Sequence, residues 1–189
     1  MNKFGGTDDS ARAKKLSKPK IALYFIILTV LAFIIAILQT SNINIFGQTA
    51  DALLALVCSV GFIFGASFGA MFGLLAGIII VLLGAYGFTL TPILYVLCGY
   101  LCGALLEKFL SSNFVSFLIF GALAGILREF FTMIYFGLNS SSFNFGQLIT
   151  DVIIGEYFAY ALCLIPLYFT VLGIYLLFKG KDEASHIIK

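Results

Sequence analysis

Six apolar runs, most of them about as long as a bilayer is thick, leave this chain few folds to adopt. They lie at about 21–38, 51–65, 69–86, 90–106, 114–138 and 148–178. A helix needs about 20 apolar residues to cross the hydrocarbon core, and only there does so much apolar surface meet a matching solvent. Charged residues make up 11% of the chain, against about 25% in a soluble domain. The expected fold is therefore all-α: a polytopic integral membrane bundle of about six transmembrane helices. The last run is long enough to tilt, to kink at Pro166 or to open with a short interfacial piece.

The cations set an orientation. Lys3, Arg12, Lys14, Lys15, Lys18 and Lys20 precede the first run, Lys108 follows the fourth, and Lys179, Lys181 and Lys189 follow the sixth. The connections near 39–50, 87–89 and 139–147 hold none. Lysine and arginine concentrate on the cytoplasmic side, so six spans put both termini in the cytoplasm. Five or seven would send the C-terminal lysines across. The division that follows is a basic tail at 1–20, a membrane domain at 21–178 and a second tail at 179–189. The first tail is expected to lie against anionic headgroups, and no nucleic-acid partner is expected. The first run has neither the position nor the following small-residue site of a cleaved signal, and reads as a retained span.

Gly61, Gly65, Gly69, Gly73 and Gly77 recur every fourth residue, and Gly99 and Gly103 repeat the spacing in the fourth run. Helices in lipid associate through close backbone approach, which glycine permits. A turn near Ser67 would divide the first series between the second and third spans. The second, third and fourth spans are then expected to pack tightly, within one chain in preference to a dimer.

Arg128 and Glu129 fall near the middle of the fifth run. A charge there costs about 2.5–3.5 kcal/mol on insertion scales, so both are expected to face the bundle interior or a polar groove. Glu156, in the outer third of the sixth run, is the candidate partner of Arg128. Asp51 and Asp151 lie near span ends, where water is expected to solvate them. The group Arg128, Glu129 and Glu156 reads equally as a binding groove and as an ion pair that fixes helix register.

Cys58, Cys98, Cys102 and Cys163 all sit in apolar sequence and read as small hydrophobes. The single histidine, His186, is in the C-terminal tail. No metal-ligand spacing, nucleophile–base pair or phosphate-binding glycine loop stands out, so neither an enzyme nor a cofactor is expected.

The order of these features resembles the rod shape-determining protein MreD family. The first span ends in Leu38-Gln39-Thr40-Ser41, and the second opens at Ala50-Asp51-Ala52-Leu53-Leu54. The glycine run follows, then Gly99-Tyr100-Leu101-Cys102-Gly103, Arg128-Glu129-Phe130-Phe131 and Gly155-Glu156-Tyr157-Phe158-Ala159-Tyr160. The similarity covers about residues 25–178. Ala50 stands where that family favours proline, Val81 where it often has aspartate, and Tyr160 where asparagine is common. The resemblance implies a non-enzymatic component of the cell-wall elongation machinery in the bacterial cytoplasmic membrane. It would work with MreC and other elongation-complex proteins, including peptidoglycan synthases.

A second resemblance is to the six-span substrate-binding subunits of energy-coupling-factor vitamin transporters. Ala32 and Ala36 have the small-residue spacing of their docking surface, and Phe143, Asn144 and Gln147 are candidate outer-loop ligands. A small channel or proton-coupled carrier using Arg128 and Glu129 is weaker, because no second set of intramembrane charges suggests an internal repeat.

Overall fold

The computed structural model describes residues 18–41, 51–84, 90–109, 114–139 and 155–179. These form six helices: α1 Lys18–Thr40, α2 Ala52–Phe64, α3 Ala66–Leu82, α4 Thr91–Phe109, α5 Phe114–Asn139 and α6 Gly155–Lys179. The protein is an all-α bundle of membrane type. By length and composition α1, α5 and α6 can each cross a bilayer. α2, α3 and the apolar part of α4 are shorter, so three of the six expected spans fall below full crossing length. Residues 1–17, 42–50, 85–89, 110–113, 140–154 and 180–189 lie outside the described set, and with them most of both tails, Asp151 and the loop residues Phe143, Asn144 and Gln147.

α2 is the axis of the bundle. It touches each of the other five helices, and every residue from Leu53 to Phe62 is buried. With 13 residues it is about 20 Å long, and a helix apolar all round must be enclosed by others or by lipid. The five surrounding helices instead show outward apolar stripes. Ile119, Leu123, Ile126, Phe130 and Ile134 on α5, and Met71, Leu74, Ile78 and Leu82 on α3, are all exposed. This three-to-four-residue period is the lipid-facing side of a helix.

The corner between α2 and α3 is Gly65, two residues before the Ser67 expected from sequence. Its φ of 98° and ψ of 171° lie in a region open to glycine alone. The chain reverses sharply there, so Gly69 comes back against Gly61: a Cβ at Gly69 would sit 2.5 Å from the Gly61 Cα. The third helix consequently starts at Ala66 instead of Gly69. α1 starts at Lys18, ahead of the apolar run, because Pro19 is tolerated in a first turn. α6 continues as one helix through Pro166.

Glycines bring α4 into the same corner. A Cβ on Gly61 or on Gly69 would overlap the Gly99 carbonyl, and one on Gly99 would overlap the Gly69 carbonyl. Gly73 faces the backbone of Tyr95, Gly77 faces Pro92, and Gly103 faces Ala66. α2, α3 and α4 thus meet backbone to backbone, as small-residue packing in lipid requires.

The two ends of α2 differ in chemistry. At its C-terminal end the rings of Tyr24, Phe64, Phe68 and Tyr175 stack or meet edge to face, and the Tyr24 hydroxyl donates to the Tyr175 carbonyl at 3.0 Å. Phe62, Phe117 and Tyr168 continue the aromatic layer into α5 and α6. At its N-terminal end, around Asp51, the contacts are ionic.

Candidate functional site: a buried ionic cluster

Asp51 is the N-cap of α2. Its Oδ1 accepts from the Leu54 backbone N–H at 3.1 Å, satisfying one of the free donors that open any helix. The rest of the side chain is not solvated, as its place near a span end had suggested. Asp51 is 1% exposed, because side chains from α1, α4 and α5 close over it.

Arg128, near the middle of α5, ties the start of α2 to the start of α6. Its Nε lies 3.2 Å from Asp51 Oδ2, and its Nη1 pairs with Glu156 Oε2 at 3.0 Å and with Glu129 Oε1. A planar guanidinium can hold several carboxylates in fixed directions, which one ammonium cannot. The structure therefore brings Arg128, Glu129 and Glu156 together and adds Asp51. Arg128 and Glu129 are buried, while the Glu156 side chain is 19% exposed and forms the most accessible edge of the group. Glu156 also sits in the first turn of α6, where the helix dipole favours a negative charge.

Two uncharged residues complete the network. The Tyr95 hydroxyl on α4 donates to Asp51 Oδ1 at 2.5 Å. The Gln39 amide at the end of α1 donates to the same oxygen at 3.3 Å, and its carbonyl accepts from the Leu53 backbone N–H at 3.4 Å. Five of the six helices thus contribute to one cluster. Sequence reading gave Gln39 and Tyr95 no place in the site, and it left Asp51 to the solvent. The available signal was Asp51 itself: an acidic residue directly before a helix apolar on every face has no lateral route to water.

α5 runs on from Arg128 to Asn139, about 16 Å further. That stretch carries Phe130 and Ile134 on its exposed face. The cluster consequently lies below an apolar helix end and not at the tip of the bundle.

Gly61, Gly69, Gly73, Gly77, Gly99 and Gly103 lie along α2, α3 and α4, with Gly65 at the corner between α2 and α3, and they make contacts within the chain. Cys58, Cys98 and Cys102 are buried, and all four cysteines are free thiols. Cys98 and Cys102 face the Ala124 and Phe120 carbonyls of α5 at 3.8 Å. Tyr160 spans the same region, its hydroxyl donating to the Gly121 carbonyl at 2.7 Å. Among the described residues no group of three or more potential ligands could hold a metal ion.

Comparison of the chain with protein-family models, with curated proteins and with solved structures finds no match.

Proposed function

We propose that this chain is a non-enzymatic scaffold of the bacterial cell-wall elongation machinery, seated in the cytoplasmic membrane with both termini inside. It would maintain cell shape by binding MreC and peptidoglycan-synthesis partners. The reading rests first on the ordered resemblance of the Gln39–Leu54 segment, the glycine run, Arg128-Glu129 and Glu156. One structural observation supports it above others: the axis of the bundle is filled by α2, whose residues from Leu53 to Phe62 are all buried. A secondary carrier keeps its cargo site near the bilayer midplane between its helices, whereas an axis occupied by a buried helix suits a rigid platform. The four charged side chains with described surroundings all belong to one internal network. The apolar outer stripes, with Glu156 at their edge, are left for lipid and for the transmembrane segments of partners.

Depletion in the native cell tests the reading. Loss of elongated shape, with MreC co-purifying with the wild-type chain, is the expected result. Normal shape on depletion, or growth defects relieved by a single vitamin, would turn the assignment to the transporter class.

A further inference from the structure

Among the described residues, the ionic cluster carries more negative charge than its one cation balances. Asp51, Glu129 and Glu156 surround Arg128, and Asp51 and Glu129 are at least nine-tenths buried. Two atoms mark where the excess falls. Asp51 Oδ2 and Glu129 Oε2 are buried side-chain oxygens with no hydrogen-bond partner, although Asp51 Oδ2 keeps its ionic contact with Arg128 Nε. Both carboxylates are held on the same guanidinium. An ionised oxygen without a partner is among the most costly groups to bury. Where carboxylates crowd one site, the cost is commonly relieved by protonating one of them. A proton needs no cavity, and it suits oxygens that are closed to solvent.

We propose that the Asp51–Arg128–Glu129–Glu156 cluster is a proton-binding site, with one proton held on the buried Glu129 carboxyl group. The proton comes from water and returns to it. Binding converts one carboxylate to a neutral acid that donates a hydrogen bond, and release leaves two uncompensated negative charges between α2, α5 and α6. Among the described residues, Glu129 shares the cluster with Arg128 beside it on α5, Asp51 at the start of α2 and Glu156 on α6, while Gln39 from α1 and Tyr95 from α4 donate to Asp51. α3 carries no titratable residue. Cys58, Cys98 and Tyr160 follow about one to two turns further along their helices. Proton release would loosen α5 from the axis, so the cluster would couple the packing of the bundle to pH, whichever complex the protein serves.

The sign follows from linkage. If the folded state holds a proton that the unfolded state gives up, stability falls as pH rises. The full chain, purified in detergent, is to be unfolded with SDS from neutral to alkaline buffer. For the wild type the unfolding constant is expected to rise, by up to about tenfold per pH unit for one proton. Glu129→Gln, which mimics the neutral acid, is expected to remove most of that slope. A flat wild-type profile, or a slope unchanged in Glu129→Gln, overturns the proposal. So does a shift at fixed pH when sodium is exchanged for choline, which would assign the site to a metal cation. Infrared difference spectra of the wild type serve if the variant does not fold. The carbonyl band of a neutral carboxylic acid is expected to disappear between neutral and alkaline buffer, a range in which exposed acids are already ionised. Absence of that band refutes the bound proton.

Discussion

Arg128→Met is expected to destabilise the bundle by about 3–5 kcal/mol, the usual cost of leaving buried partners of an ion pair uncompensated. Few substitutions in this chain should do more harm. Methionine keeps much of the volume and apolar stem of arginine, so the loss would report charge and hydrogen bonding and not a cavity. Three carboxylates would remain around the vacated guanidinium position, at least two of them buried. Arg128→Lys should recover only part of the loss, because Nε and Nη1 engage different carboxylates in the wild type and one ammonium cannot occupy both directions. SDS unfolding of the purified variants provides the measurement. A loss below about 1 kcal/mol in Arg128→Met, the range of an exposed pair, would mean that water reaches the cluster freely.

Gly99→Ala is expected to lower stability by about 1–3 kcal/mol through overpacking. The added methyl would lie 2.8 Å from the Gly69 carbonyl carbon and 2.9 Å from Val57 Cγ1. The first neighbour is backbone and cannot rotate away, so α3 and α4 would have to separate. Gly173→Ala is the matched control on α6, where no heavy atom lies within 4 Å of the added Cβ. There the higher helix propensity of alanine should leave stability unchanged or slightly improved. Equal effects at the two positions would remove the case for backbone contact between α3 and α4.

How much of this could be read in advance depended on whether the signal was local. Helix number and type follow from apolar runs, and the four-residue glycine period follows from one stretch of sequence, so both were legible. The pairing of Arg128 with Glu156 was legible because a charge in lipid needs a partner and few candidates existed. Gly65 was harder to place than its neighbours, since it belongs to the periodic series and only its positive φ distinguishes the corner from the ladder. Asp51 was misread for a different reason. Its position at a helix start is compatible with water, and only the enclosure of α2 by all other helices removes the water. Nothing in the sequence ties Gln39 or Tyr95 to Asp51. They acquire a role when Asp51 is buried and its oxygens need donors.

The central claim is that Asp51 and Arg128, far apart in sequence, form the contact that fixes α2 against α5. A double-mutant cycle with Asp51→Asn and Arg128→Met measures that contact directly. Residues in one ionic network couple by about 0.5–3 kcal/mol, and the expected result is a coupling in the upper half of that range. The double variant should then be less damaged than the sum of the single variants. Additivity within about 0.5 kcal/mol would contradict the account, because it would mean that Asp51 and Arg128 act on stability without touching.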